Sequence, residues 1–304
     1  MSNSEFTLGN FRPYVFTAFL AVFVWSIFAH GIPVDRIAVL LWMLSAFLVS
    51  SIGRTKSELF QTVRDWLILV AMYMLYDYSR GTADQWGIPV NYTWLRDIDR
   101  FLFWGHDPGI WLQHHLYVPL DVRWYDVVGA VLYMTHFVFP VLPLVMLRLR
   151  KRNEWTQYVR RFSLTLGIAV LTFIAFPAAP PWMSSKAQYM PRIERITGRG
   201  WWELHLKTVS QTLDRGAAVL NAVAAMPSLH AGMSLLVALW FTRHAARWVR
   251  IVVLVYPLCM ALTLVYFGEH YVIDCIAGWG VVLIAWAISN WWEKGHPPTN
   301  QLSN

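Results

Sequence analysis

Charge is scarce in this chain: Asp, Glu, Lys and Arg make up 14% of its 304 residues. That is too little polar side chain to coat a soluble domain of this size. Cysteine is scarcer, with only Cys259 and Cys275. Both lie in apolar runs and far from any Cys-x-x-Cys spacing, so no disulfide framework or thiol-ligated metal centre is expected, and both read as small apolar residues. There is no internal repeat and no low-complexity tract, which argues against a solenoid or a long linker. The net charge of +7 is no nucleic-acid signature, because most of the excess is Arg and Lys in short connections between apolar runs.

What the chain has is hydrophobicity, at 57% of residues, and 18 Trp, with a mean hydropathy of +0.40. This composition describes an all-α polytopic membrane protein. The length rule marks about eight spans, at roughly 13–31, 36–53, 63–79, 124–147, 160–180, 226–242, 248–267 and 271–292. Trp and Tyr crowd their ends, as amphipathic rings do at headgroup level. The first run lacks a small-residue cleavage site and reads as a retained helix rather than a signal peptide. Arg64 and Asp65 intrude on the third run, and the sixth is short and begins at a proline.

Arg54 and Lys56, then Arg148, Arg150, Lys151, Arg152, Arg160 and Arg161, then Arg243, Arg247 and Arg250 fall on alternate connections, so all three belong on the cytoplasmic side. The other connections face outward, including the long ones at roughly 80–123 and 181–225 and the short turn from Gly268 to His270. In the first long loop Ile98, Phe101, Leu102, Trp104, Trp111 and Leu112 alternate with Asp97, Asp99, Arg100 and His106, a pattern suited to helices lying along the interface. The second sets Trp201, Trp202, Leu204 and Leu206 beside Lys186, Arg192, Arg195, Arg199, Lys207 and Arg215. Six basic residues on the outer side call for an anionic group, a headgroup or a phosphate, with plain electrostatic adhesion to the outer leaflet as the alternative for most of them. The whole chain, 1–304, reads as one membrane domain.

Chemistry enters at the start of the last predicted helix. His270 and Asp274, four residues apart, share one helix face, so the carboxylate can hold one ring N–H and leave the other nitrogen as a nucleophile. Ionisable groups in a span are costly and are functional by default. His230 follows Ser228 by two residues at another predicted helix start, where an N-cap serine and backbone N–H groups favour an anion. Small residues on that helix, Ala231, Gly232, Ser234 and Ala238, permit close approach of a second helix, which would bring His230 towards His270. A metal reading of two His and one Asp does not account for Pro-Ser-x-His at a helix start or for the basic loop, so no metal and no cofactor is expected. His106, His114, His115 and His136 have no ligand spacing and read as hydrogen-bonded interfacial or inter-helix histidines. His136, inside a span, is the one to test.

These residues resemble the type 2 phosphatidic acid phosphatase superfamily, whose second and third motifs read Pro-Ser-Gly-His and Ser-Arg-x-x-x-x-x-His-x-x-x-Asp. The matches are Pro227, Ser228 and His230, then His270 and Asp274, with Gly268, Tyr271 and Ala277-Gly278 at common positions. The motif-bearing part is 160–292. The departures are Leu229 inside the second motif, Thr263-Leu264 in place of Ser-Arg, and the absence of a Lys-x-x-x-x-x-x-Arg-Pro first motif. Phe176-Pro177-Ala178-Ala179-Pro180-Pro181-Trp182 is similar to the Pro-Thr-Ala-Pro-Pro-Trp segment of the aureobasidin-sensitive inositol phosphorylceramide synthases. That segment reads equally as a rigid helix exit with a Trp anchor and as a substrate contact through Pro180 and Trp182.

The resemblance implies a metal-independent double displacement. His270 attacks a lipid phosphodiester to give a phosphohistidine, Asp274 supports it, and His230 protonates the leaving alkoxide and then serves as base for the incoming hydroxyl. Candidate phosphate-binding residues are Ser228, Lys186, Arg192, Arg199, Lys207, Arg215 and Arg80, the last with an alternative as an interfacial arginine paired with Asp77 or Asp84. The implied activity is phospholipid headgroup transfer, of phosphoinositol from a donor such as phosphatidylinositol to a hydroxylated lipid or glycan. A lipid phosphate or polyprenyl diphosphate phosphatase and a non-catalytic lipid-binding protein stand as alternatives. The expected site faces the extracytoplasmic side, periplasmic or luminal, and the absence of a long cytosolic tail with sorting signals favours a bacterial plasma membrane.

Overall fold

A computed structural model describes residues 11–30, 36–82, 87–204, 211 and 223–296. Among these residues regular structure is helical, with only two isolated bridges, Asn91 to Ala178 and Ala178 to Ala224. The helices are α1 Arg12–His30, α2 Arg36–Ser51, α3 Lys56–Thr82, α4 Trp94–Leu102, α5 Pro108–Leu116, α6 Trp124–Val138, α7 Val141–Arg150, α8 Arg152–Ala175, α9 Pro181–Lys186, α10 Gly200–Glu203, α11 Leu229–Thr242, α12 Arg247–Val253, α13 Val255–Tyr266 and α14 Val272–Gly295. Each of the eight apolar runs is helical.

Among the described residues three segments are long and apolar enough to cross a bilayer: α8, α12 with α13, and α14. A fourth is counted if α6 and α7, bent by 42° at Phe139-Pro140, form one span. Proline removes a donor from the ladder there. Helices α1, α2 and α11 are shorter apolar helices. Leu171, Leu258, Leu262, Leu283 and Ile284 point outward with more than half their surface uncovered. In water such an apolar girdle would aggregate, whereas in lipid it faces its own solvent, and the protein is an integral membrane protein.

Two helices start earlier than hydropathy indicates, and buried ion pairs are the reason. Helix α3 begins at Lys56 and carries Asp65 inside, where Arg148 and Arg152 approach its carboxylate at 2.9 and 2.6 Å. Helix α8 begins at Arg152 because Arg160 and Arg161 are held by Glu293, at 2.8 and 2.7 Å. Glu154 joins Lys151 and Arg243. The connections before α8 and after α11 therefore meet at one end of the bundle, where Asp65 on α3 joins them. Since α11 runs from Leu229 towards Arg243, its first turn lies at the opposite end. Beneath that end, Leu229, Met233, Leu236 and Trp240 of α11 pack with Trp155, Tyr158 and Phe173 of α8 and Val282 of α14.

Glycine decides how closely α11 and α14 cross. A Cβ on Gly278 would lie 2.2 Å from the carbonyl oxygen of Ser228, and one on Gly232 would lie 2.9 Å from that of Gly278. The small-residue stripe anticipated on 231–238 is the face that meets α14. The first long loop folds into α4 and α5, and both pack onto the last two spans. Gln113 of α5 donates to the carbonyls of Glu194 and Tyr266, at 2.7 and 2.8 Å, and accepts from the Glu194 N–H at 2.9 Å. It pins the second long loop over the end of α13.

Candidate active site

The sequence around Tyr266 to Asp274 folds as a tight turn between two spans. Gly268 takes φ +71°, a conformation with little cost for glycine alone, and a Cβ there would meet the Glu194 carbonyl at 2.7 Å. The turn delivers His270 to the start of α14, where Nδ1 sits 3.4 Å from Asp274 Oδ2. That is a long hydrogen bond, and it faces the remaining ring nitrogen, Nε2, away from the carboxylate. Asp274 is fully buried. Its Oδ2 also accepts from the Tyr271 N–H at 2.9 Å, while Oδ1 has no partner among the described residues. A buried carboxylate so sparsely compensated is costly, and the cost is offset when the adjacent imidazole becomes cationic.

The second half of the site is tied to the first by backbone. The Ser228 N–H donates to the Asp274 carbonyl at 2.9 Å, so the two helix starts are joined two residues from His230 and four from His270. Ser228 is the N-cap, its hydroxyl accepting from the Ala231 N–H at 3.3 Å, and it is fully buried. The His230 ring then lies 5.8 Å from that of His270, centroid to centroid. Two imidazoles at this spacing can address opposite sides of one phosphorus.

Sequence reasoning missed what surrounds His230. Tyr133 stacks on it at 4.8 Å and the His136 ring lies at 4.0 Å. Positions 133, 136 and 137 share one face of α6, and a histidine mid-span was the available signal. The histidines of the first loop stay local, His115 Nδ1 lying 2.8 Å from the Trp111 carbonyl and against His114.

The proline segment is a junction. Ala178 donates to the Val223 carbonyl at 2.8 Å, Ala225 to Ala178 at 3.2 Å, Asn91 to Pro177 and Ala179 to Asn91, each at 2.9 Å. Pro180 is buried at the start of α9, and the Trp182 N–H donates to the Gly268 carbonyl at 3.1 Å. Ala178 and Trp182 thus brace the two strands of chain that lead to the histidines.

Of the basic residues in the second loop, Arg192 pairs with Glu194 and Arg195 with Glu269, at 2.5 and 2.6 Å. Arg195 also lies over the Trp182 ring and, next to His270 through Glu269, is the described loop cation closest in linkage to the site. Arg199 is buried, its Nε 3.0 Å from Asp126 Oδ2, and it also donates to the carbonyls of Val118 and Asp121. The guanidinium is held as a clamp between α6 and the loop. Arg199→Ala leaves Asp126 buried without its cation and is expected to cost about 3–5 kcal/mol, read as a lower melting midpoint in detergent. Lys186 is exposed at the end of α9. Arg80 belongs to the end of α3, but its side chain lies outside the description, and Lys207 and Arg215 lie outside the described residues.

The fold and the site together define a helical integral membrane protein that gathers two histidines and an aspartate at one end of its bundle. The sequence profile of the PAP2 superfamily matches residues 93–288, and the chain belongs to that superfamily. It is similar to the phosphoinositol dihydroceramide synthase of Bacteroides thetaiotaomicron, 25% identical over 223 residues that cover 69% of this chain and 71% of the relative. It is also similar to the inositol phosphorylceramide synthase catalytic subunit aur1 of Schizosaccharomyces pombe, 22% identical over 226 residues, 73% of this chain and 52% of that protein. No solved structure matches the chain.

Proposed function

We propose that this protein is a lipid headgroup transferase that moves phosphoinositol from a phosphatidylinositol-type donor to a ceramide-type hydroxyl acceptor. One observation carries the reading: His230 and His270, forty residues apart, meet at 5.8 Å with Asp274 behind the second ring. The names of the two relatives supply the substrate class.

His270 Nε2 attacks the donor phosphorus and the bond to the diacylglycerol oxygen breaks, that oxygen taking a proton from His230. Asp274 stabilises the imidazolium character of the phosphohistidine. The acceptor hydroxyl then gives its proton to His230 and attacks phosphorus, and His270 leaves. Arg195, Lys186 and, beyond the described residues, Lys207 and Arg215, together with Arg80, are the cations proposed to neutralise the phosphoryl oxygens. The helix start behind Ser228 adds its backbone dipole.

A cavity of about 490 Å³ lies between α4 and α5 on one side and α13 and α14 on the other, lined by Phe103, Trp111, Leu112, Val265, Ile276 and Trp279. Its wall includes Val272 and Cys275, which flank Asp274. An acyl chain lodged there would set its headgroup beside the histidines. The eight helical runs are proposed to span the membrane as one domain, 1–304, with the three basic connections inside and the site on the extracytoplasmic face of a bacterial plasma membrane.

The test is purified protein in lipid with EDTA, headgroup-labelled phosphatidylinositol and a ceramide acceptor. A new labelled lipid, with diacylglycerol released in equal amount, is the expected product. Release of water-soluble labelled phosphate ester alone would assign hydrolysis and sink transfer.

A further inference from the structure

The first turn of an α-helix carries N–H groups with no partner inside the helix, and an Asp at the third position normally turns back to satisfy them. Asp274 is in that position on α14 and already accepts from the Tyr271 N–H. The next two N–H groups do not go to Asp274. Val272 N donates to Asp99 Oδ2 at 2.8 Å and Ile273 N to Asp99 Oδ1 at 2.9 Å. Asp99 comes from α4, 173 residues earlier, and is 1% exposed. One carboxylate of the first long loop therefore caps the helix that carries Asp274.

We infer that Asp99 is a positioning residue for the transfer reaction: by taking the Val272 and Ile273 N–H groups it holds the start of α14 and leaves the Asp274 carboxylate directed at His270. The inference rests on the assignment of His270 and Asp274 above. Without Asp99 the two exposed donors would draw the Asp274 carboxylate towards its own helix terminus, turning it from the imidazole.

The surroundings make this cap sensitive to protons. Burial, the largest cause, pushes the Asp99 carboxyl up to about 7, opposed by the two backbone N–H bonds and reinforced by the neighbouring charges of Asp274 and Asp107. Asp107 precedes α5 and is paired with Arg100 of α4, and Cys275 of α14 also feels the Asp99 charge. The cap accepts both N–H groups fully only as a carboxylate, so activity rises with pH through about 7. Stability runs the other way. A carboxyl raised in the fold binds its proton there after the unfolded chain has lost it, so its stabilising contribution is present below about 4 and is lost as pH rises to about 7.

The experiment measures kcat, KM for phosphatidylinositol and the pH profile of the full-length protein in lipid for wild type, Asp99→Asn, Val272→Pro and His270→Ala. Asparagine presents one acceptor and one donor to two N–H groups. Asp99→Asn is expected to lower kcat about 10- to 100-fold with KM within about twofold, the size of effect an ångström-scale misplacement produces. In Asp99→Asn the part of the acid limb of log kcat against pH that falls through about 7 should be lost. Thermal stability between about pH 4 and 7 should lose the corresponding slope. Val272→Pro removes one donor at a first helical position that tolerates proline, and an intermediate loss of kcat is expected even if Asp99→Asn fails to fold. Wild-type kcat and an unchanged limb in the variants, with His270→Ala inactive, overturn the role of Asp99. An active His270→Ala instead overturns the assignment on which it rests.

Discussion

His270→Ala is expected to abolish formation of the labelled product, with a loss of at least about 10⁴-fold, the scale seen when the nucleophile of a catalytic unit is removed. The reason is geometric. Nδ1 of His270 faces Asp274 at 3.4 Å, so Nε2 is the nitrogen presented for attack. The same assay separates the two histidines. His230→Ala removes the proton donor but keeps the nucleophile, so a donor with a leaving group that needs no protonation should still phosphorylate the protein, while His270→Ala should not be labelled at all. The readout is an alkali-stable, acid-labile label on the chain. Labelling of His270→Ala, or none on His230→Ala, would reverse or reject the assignment. Retained biological activity in His270→Ala would favour a lipid-binding protein instead.

Gly278→Ala is expected to lower activity about 100-fold although the residue touches no substrate, with a stability loss of about 1–3 kcal/mol. The added methyl would sit 2.2 Å from the Ser228 carbonyl oxygen and 3.1 Å from its carbon. Both are backbone atoms, so neither can move aside by changing rotamer. The helices α11 and α14 must separate, the hydrogen bond from Ser228 N to the Asp274 carbonyl lengthens, and His230 withdraws from His270. Gly280→Ala, two residues further along the same helix, is the control. Nothing lies within 4 Å of a Cβ there, and the exchange should be neutral or stabilising by up to about 1 kcal/mol through helix propensity. Activity and melting midpoint measured on both variants check this pair. Equal behaviour of the two would mean that the close crossing does not set the site.

Much of the site was legible because its residues are local in sequence. Pro227 to His230 and Gly268 to Asp274 each fold within one turn of chain, so helix periodicity and capping place their side chains without reference to the rest. The helical runs were legible for a similar reason, since lipid demands that each segment satisfy its own backbone. The breaks were less so. Helix α6 gives way to α7 at Pro140, and α3 and α8 begin earlier than hydropathy indicates because Arg148, Arg152 and Glu293 neutralise charges that the length rule treats as boundaries.

By itself the sequence determined the class of structure, the two helix starts that bear histidine, and the small-residue stripe that lets one helix approach another. Those properties follow from side-chain size, periodicity and the cost of polar groups in lipid, all of which act over a few residues. Only the tertiary structure decided which partner each buried charge takes. Arg199 is spent on Asp126, Gln113 pins the second loop, Tyr133 and His136 enclose His230, and Asp99 caps a helix 173 positions away. A buried charge must find its counterpart wherever the packed chain supplies one, and that supply is set by the assembly of helices rather than by any window of sequence.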